Sequence, residues 1–73
     1  MNRLNYEKTG EKLKNCRKSL GYSQLGLSKL LYVSKQSISK WERGMMMPPL
    51  QVLVEMTGIF GVNLEDVIVI EKV

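Results

Sequence analysis

The segment Tyr22-Ser-Gln-Leu-Gly-Leu-Ser-Lys-Leu-Leu-Tyr-Val-Ser-Lys-Gln-Ser-Ile-Ser-Lys-Trp-Glu-Arg-Gly44 decides the fold, because one helix-starting pattern occurs in it twice. In each copy a serine follows an apolar residue, and a second apolar residue comes four positions after the serine. The copies are Tyr22, Ser23 and Leu27, then Val33, Ser34 and Ile38. A serine placed in this way caps a helix through its hydroxyl, while the flanking apolar residues pack together across it. The pattern predicts two short helices joined by a tight turn.

Two helices joined by such a turn can project the second helix into a groove, which is a geometry used to read DNA. The charge of the chain is distributed unevenly. Residues 1–43 carry ten lysines and arginines against three acids, a net of +7, while residues 44–73 carry one lysine against four acids, a net of −3. A solvated basic face would also account for this charge, but beside a helix-turn-helix it indicates a phosphate-binding surface. We therefore expect binding to double-stranded DNA.

Size and composition exclude several other classes of protein. A chain of 73 residues leaves room for one domain, 1–73. Its apolar runs are far shorter than the roughly 20 residues of a membrane span, and its first residues do not form a secretion signal, so we expect a cytoplasmic protein that does not bind membranes. The single cysteine, Cys16, cannot form an internal disulfide, and there is no histidine for a metal cluster or for acid–base chemistry. We expect no metal, no cofactor and no enzymatic activity.

The hydrophobic periodicity predicts five helices and an all-α fold. Gly21, Gly44 and Gly61 are placed to end the first, third and fourth helices. The predicted ranges are 8–20, 24–31, 35–43, 49–60 and a short fifth helix from 64. The β-branched run Val67-Ile-Val-Ile70 is a weak helix former, so we expect the fifth helix to be short and to be followed by an extended tail. The sequence does not decide between helix and strand for residues 67–73.

The accumulated motifs resemble those of the phage-repressor-like helix-turn-helix family, often called the Cro/C1 or Xre family, over about residues 9–68. The run Ser37-Ile-Ser-Lys-Trp-Glu-Arg-Gly44 is the most specific of them. The other matching positions are Gln24, Leu27, Val33, Ser34, Pro48 and Gly61-Val-Asn-Leu64. The resemblance implies a compact five-helix domain of a bacterial or phage transcriptional regulator, one that binds operator DNA, usually as a homodimer, and is associated with the nucleoid when bound.

The chain departs from the family pattern in three places. Tyr32 stands at the turn position where the family commonly has glycine, so a left-handed backbone there would carry a steric cost. Ser28 replaces the closely packed alanine of the second helix. Met45 and Met46 stand where a basic or small polar residue is usual, which removes one customary phosphate contact.

The third helix carries the residues expected to read DNA. On a 3.6-residue period, Ile38 and Trp41 face the core. Glutamine can pair bidentately with adenine and lysine can donate to guanine, so Gln36 and Lys40 are the principal candidates for base contacts. Without the surrounding helix-turn-helix motif, the simpler interpretation would be that these are solvated polar residues on an exposed helix. The full set of candidate base-contacting residues is Lys35, Gln36, Ser37, Ser39 and Lys40.

Contacts to the DNA backbone are expected at the edges of this reading face. At the start of the second helix, the Gln24 amide and the free backbone N–H groups can hold a phosphate against the positive helix end. Arg43, at the far end of the third helix, is expected to contact a phosphate as well. These contacts set the register of the protein on DNA rather than its sequence preference. The resemblance further implies a buried structural pair between Arg17 and Glu42.

Two apolar sets suggest contacts with other proteins. The C-terminal Ile68, Val69 and Ile70 are candidates for a homodimer interface, or they cover the core of the monomer. Leu25, Leu30 and Tyr32 fall at usually polar positions and are either scattered surface residues or a patch for a protein partner. The alternative function is accordingly a protein-interaction module of the same fold, such as an antirepressor or an antitoxin.

Overall fold

The computed structural model describes residues 1–73 as five helices and one two-stranded sheet. Along the chain the elements are β1 (Asn2–Leu4), α1 (Tyr6–Ser19), α2 (Gln24–Leu31), α3 (Lys35–Glu42), α4 (Leu50–Phe60), α5 (Leu64–Val67) and β2 (Ile70–Lys72). The five predicted helices are confirmed. The sheet, formed by the first and last segments of the chain, adds to the predicted all-α architecture.

The helix starts predicted from the repeated serine pattern are also confirmed. The Ser23 hydroxyl accepts a hydrogen bond from the Gly26 N–H at 2.9 Å, and the Ser34 hydroxyl accepts one from the Ser37 N–H at 3.0 Å. Each bond satisfies a backbone donor that has no partner inside the first turn of its helix. As a result, α2 and α3 begin directly after their capping serines.

Four helix boundaries differ from the predicted ones, and one of them is the end of α1, which lies at Ser19 with Leu20 as its C-cap. α1 begins two residues earlier, because the Asn5 side-chain oxygen accepts a hydrogen bond from the Lys8 N–H at 2.8 Å and caps the helix there. α3 ends before Arg43, which is its C-cap, so the predicted range was one residue too long. α4 begins after Pro49, whose extended backbone makes it the N-cap rather than the first helical residue.

All five helices contribute to one hydrophobic core. α1 supplies one residue, α2 and α3 supply two each, α4 supplies three and α5 supplies one. These buried residues are Leu13, Leu27, Leu31, Ile38, Trp41, Leu53, Met56, Phe60 and Val67. Because each helix buries its apolar stripe here, the polar side of α3 is left facing outward.

The terminal sheet anchors the C-terminal segment against α1. β1 and β2 are antiparallel, with Asn2 opposite Lys72, Arg3 opposite Glu71 and Leu4 opposite Ile70. Beyond the sheet, the Asn5 N–H donates to the Val69 carbonyl at 2.8 Å, and the Val69 N–H donates to the hydroxyl of the fully buried Thr9 at 3.0 Å. The expected extended tail is therefore present, and it is a strand held by the rest of the domain.

Candidate nucleic-acid interface

The two sides of α3 have opposite character. Ile38 and Trp41 are buried in the core, as predicted from the helical period. Lys35, Gln36 and Lys40 are exposed, and their side chains make no hydrogen bond within the protein. The two lysines are free to donate to another molecule, and the Gln36 amide is free both to donate and to accept.

Two glycines allow α1 to approach the end of α3 very closely. A Cβ atom at Gly10 would lie 2.4 Å from the carbonyl oxygen of Trp41 and 2.7 Å from that of Glu42. At Gly44, whose φ is +74°, a Cβ atom would lie 2.6 Å from the Cα atom of Glu7. Backbone therefore packs against backbone here, which fixes the orientation of α3 relative to α1.

A buried ion pair joins the same two helices. The Arg17 Nε atom donates to Glu42 Oε2 at 2.6 Å, and Arg17 Nη2 donates to Glu42 Oε1 at 3.0 Å. A third guanidinium nitrogen, Nη1, donates to the carbonyl oxygen of Tyr22 at 2.8 Å. The planar guanidinium thus holds α1, the segment before α2 and the end of α3 in one arrangement. This is the pair whose presence the family resemblance implied.

Gln24 adds a second donor to the Glu42 carboxylate. Its Nε2 atom donates to Glu42 Oε1 at 3.0 Å, so the first residue of α2 is bound to the last residue of α3. Beside this bond lies an open cleft of about 200 Å³, lined by Gln24, Lys35, Gln36 and Ser39. The cleft has no apolar and no acidic side chain among its lining residues, a composition suited to a polar or anionic ligand.

The other predicted DNA-contacting residues differ in how accessible they are. Ser39 is half-buried in the wall of the cleft, and Ser37 is half-buried with its hydroxyl 2.9 Å from that of Ser34. Ser37 therefore participates in the cap of α3. Arg43 is exposed, and its Nε atom donates to the Ser39 carbonyl at 3.3 Å, which leaves the Nη atoms of the guanidinium without a protein partner.

The turn between α2 and α3 contains a strained residue. Tyr32 is the single non-glycine residue with positive φ, at φ 56° and ψ 42°, in the left-handed region. Its side chain is 95% exposed, so packing within the domain does not offset the strain. Leu25 and Leu30 are each half-exposed, but five residues of a helix separate them by about 140° of rotation, so the two do not form one continuous patch.

The residues predicted for a dimer interface lie in three different environments. Ile68 packs against the core of its own domain, as the monomeric alternative requires. The backbone of Val69 bonds to Asn5 and Thr9, and its side chain is half-buried. Ile70 is 57% exposed on β2. Of the three, Ile70 has the most surface available to a second molecule.

Sequence reasoning missed several residues that position this surface, although the signals were present. Asn5, three residues before Lys8, has the spacing of an N-cap. Gly10 interrupts a helical pattern, which is a sign of close backbone approach. The role of Thr9 had no local signal, because its partner Val69 is 60 residues away.

None of the five helices combines the length and the hydrophobicity that a membrane-spanning helix needs. No group of three or more histidine, cysteine, aspartate or glutamate side chains is placed to hold a metal ion.

The fold and its exposed third helix define the class of a helix-turn-helix domain, and comparison with known sequences agrees. A family model described as helix-turn-helix matches residues 13–67. The SPbeta prophage-derived uncharacterized HTH-type transcriptional regulator YonR of Bacillus subtilis (strain 168) is 41% identical over 54 residues, which cover 74% of this chain and 50% of YonR. The chain thus spans about half the length of this curated relative. The chain belongs to the helix-turn-helix family, as the phage-repressor-like resemblance predicted.

Solved structures with the same fold include proteins of different function. The clp gene regulator ClgR of C. glutamicum is 26% identical with a TM-score of 0.76, covering 89% of this chain and 84% of ClgR. The structure of cobalt(II) HppE in complex with substrate is 20% identical with a TM-score of 0.79, covering 89% of this chain and 36% of HppE. The second likeness concerns the fold alone. The fold alone therefore does not define a function, which depends on the residues of the site.

Proposed function

We propose that this protein is a sequence-specific, double-stranded DNA-binding transcriptional regulator that acts as a repressor, binding a palindromic operator as a homodimer. The observation that carries the proposal is the outer side of α3, where Lys35, Gln36 and Lys40 are exposed and unbonded. Membership of the helix-turn-helix family and the regulator YonR among its relatives support DNA binding and regulation rather than catalysis.

In this proposal the exposed polar side chains of α3 read base edges in the major groove. Gln36 pairs with adenine through its amide, and Lys35 and Lys40 donate to the O6 and N7 atoms of guanine. Ser39 supports these contacts from the wall of the cleft. Ser37 contributes less, because its hydroxyl is engaged with Ser34.

Phosphate contacts flank the reading side chains. The exposed Arg43 binds a phosphate through its free Nη atoms. At the other edge, the backbone N–H groups of Gln24 and Leu25 have no acceptor within the protein and point out of the positive end of α2. The Gln24 contact predicted from the sequence is thus supported chiefly by its backbone N–H.

Homodimerisation would align two α3 helices with the two halves of a palindrome, about 34–36 Å apart. The exposed Ile70 on β2 is the strongest candidate for this interface, since Ile68 is committed to the monomer core. Occupation of a promoter by such a dimer is sufficient for repression, because it excludes other proteins from the same DNA.

Selection of bound duplexes from a random DNA pool tests the proposal, with light scattering on the same protein to measure its oligomeric state. We expect a palindromic consensus and a dimer. Ile70→Asp, an exposed position, should give a folded monomer that no longer binds cooperatively, while the matched change Leu50→Asp on the exposed side of α4 should not. If no consensus emerges, the protein-interaction alternative, with Tyr32 as its most exposed apolar side chain, becomes the better account.

A further inference from the structure

We propose that the outer edge of β1 binds an extended peptide with an acidic residue, which pairs antiparallel to β1 as a third strand of the terminal sheet. The proposal goes beyond DNA binding and does not depend on it, because β1 precedes α1 and lies outside the helix-turn-helix. Three features carry it: the hydrogen-bond register of the sheet, an open cleft along β1 and an arginine without a partner.

The register of the sheet leaves backbone groups of β1 unpaired. The Met1 nitrogen donates to the Val73 carbonyl at 3.3 Å, and the Val73 N–H donates to the Met1 carbonyl at 2.9 Å. Along an antiparallel ladder, such bonded pairs alternate with pairs that are not bonded to each other. Arg3 therefore belongs to the next bonded pair, and the N–H and C=O groups of Asn2 and Leu4 point away from β2. These outward groups are a template for another strand.

An open cleft lies along β1 and not along β2. Its volume is about 560 Å³, and it is lined by the consecutive residues Arg3, Leu4, Asn5 and Tyr6, with Glu71 as the one residue from β2. Leu4 and Tyr6 are 39% and 45% exposed, so the cleft offers apolar surface to the side chains of a bound strand. The outer edge of β2 also has free backbone groups, but it has no such cleft. We therefore assign the peptide to β1.

The charged groups of the cleft favour an acidic partner. Arg3 is exposed and has no ion-pair partner, although Glu71 lies opposite it in the sheet. The Glu71 carboxylate instead accepts a hydrogen bond from the Asn5 amide. On the outer side of β1 the alternation is reversed, so Arg3 falls in a pair without mutual backbone bonds, the type in which opposite side chains come closest. An acidic residue of the peptide at that position pairs with the free guanidinium.

A second copy of β1 is a poorer occupant of this edge. Two β1 strands related by a two-fold axis would pair Asn2 with Leu4 and would set Arg3 directly opposite the same residue of the other copy. Like charges directly opposite each other destabilise a sheet. β2 pairs with β1 in the favourable way, because Ile70 lies opposite Leu4 and Glu71 opposite Arg3. The peptide is therefore expected to have an apolar residue followed by an acidic one.

The test selects peptides on the folded protein from a phage-displayed library of random heptapeptides and measures the affinity of a selected synthetic peptide by fluorescence anisotropy. Leu4→Pro removes one outward N–H of β1, a change that edge strands tolerate. Ile70→Pro is the matched control, because it removes the outward N–H at the opposite position of β2. Arg3→Gln removes the charge of the cleft. Circular dichroism establishes that each variant is folded.

We expect the selected peptides to share an apolar residue followed by aspartate or glutamate. Leu4→Pro should weaken binding about tenfold, the effect of losing one hydrogen bond, while Ile70→Pro should change it by less than about twofold. Arg3→Gln should weaken binding about two- to fivefold, and should not affect a peptide in which glutamine replaces the acid. If Leu4→Pro does not fold, Arg3→Gln and hydrogen exchange decide the question.

Hydrogen exchange followed by NMR locates the bound peptide. The amides of Asn2 and Leu4 should exchange more slowly in the complex, with the Glu71 amide unchanged. Protection of the Ile70 and Lys72 amides would place the peptide on β2, and faster exchange at Glu71 would mean that the peptide replaces β2; either result overturns the proposal. So would selected peptides with no shared sequence, or self-association in light scattering that Leu4→Pro abolishes, since the occupant would then be a second copy. None of these measurements involves DNA, so a failure of the proposed function leaves them unaffected.

Discussion

The inner and outer sides of α3 belong to one short helix, yet the inner side is packed and bonded within the domain and the outer side is not. On the inner side, α1 approaches to backbone contact at Gly10, and Arg17 meets Glu42 in a fully bonded buried pair. On the outer side, Gln36 and Lys40 have no intramolecular bond at all. Changes on the inner side should therefore alter the free energy of unfolding, and changes on the outer side should alter DNA binding alone.

The largest expected effect is at the buried ion pair. Arg17→Ala leaves the Glu42 carboxylate buried with Gln24 as its one remaining partner, and the loss of one partner of a buried pair costs about 3–5 kcal/mol. Urea denaturation followed by circular dichroism measures this. Lys18→Ala, the exposed neighbour on the same helix, is the control and should change stability by less than about 0.5 kcal/mol. A loss below about 1 kcal/mol for Arg17→Ala would show that the pair does not hold α1 to α3.

The close approach of the two backbones gives a second prediction on the inner side. Gly10→Ala places a methyl group 2.4 Å from the Trp41 carbonyl oxygen, so α1 must move away, at a cost of about 1–3 kcal/mol typical of overpacking.

Gly58→Ala is the matched control, since Gly58 is also within a helix but has open space where the methyl group would go. Alanine there should stabilise the protein by about 0.5–1 kcal/mol, because it restricts the unfolded chain and favours the helix. The two substitutions should thus shift the midpoint of denaturation in opposite directions. A shift in the same direction would mean that α1 has room to adjust.

The sequence alone predicted where α2 and α3 begin and which side of α3 faces the core. The starts of α2 and α3 were found to the residue, because Ser23 and Ser34 act within one turn of the helices they cap. Burial of Ile38 and Trp41 followed from the helical period, which fixed the direction of the opposite side as well.

The remaining features depend on partners far away in the sequence. The pairing of β1 with β2 joins residues such as Arg3 and Glu71, and neither segment has a strong strand pattern of its own. The family resemblance predicted the Arg17–Glu42 ion pair. It did not predict that the Gln24 amide donates to Glu42, because a sequence motif does not specify how side chains are oriented. Sequence reasoning therefore interpreted Gln24 as a phosphate contact, while the structure binds its side chain to Glu42.

The outer side should respond in binding rather than in stability. Gln36→Ala and Lys40→Ala should each fold normally and lose about 1–3 kcal/mol of discrimination between the selected duplex and scrambled DNA, the usual value of a good base contact. Arg43→Ala should instead weaken binding to both duplexes alike and reduce the salt dependence of binding, as expected for a phosphate contact. Fluorescence anisotropy titrations at two salt concentrations separate these cases. Equal losses on both duplexes for Lys40→Ala would reassign that lysine to the DNA backbone.

The smallest expected effect is at Tyr32, in the turn that leads from α2 into α3. Its backbone is left-handed at φ 56°, a conformation that costs a residue with a Cβ atom roughly 1–2 kcal/mol, and its exposed side chain returns no packing. Tyr32→Gly removes that strain but makes the unfolded chain more flexible, which offsets about 0.4–1 kcal/mol of the gain. The net result should be a stabilisation of up to about 1 kcal/mol in chemical denaturation.

Tyr32→Ala distinguishes the source of this gain, because alanine removes the aromatic ring and keeps the Cβ atom that causes the strain. We expect little change in stability for Tyr32→Ala, and Tyr32→Asn should resemble Tyr32→Gly because asparagine tolerates the left-handed region. If alanine stabilises the protein as much as glycine does, the cost lies in exposing the ring rather than in the backbone. If DNA affinity falls for all three variants while stability holds or rises, the strain at Tyr32 is retained for a contact made on the outer side of the domain.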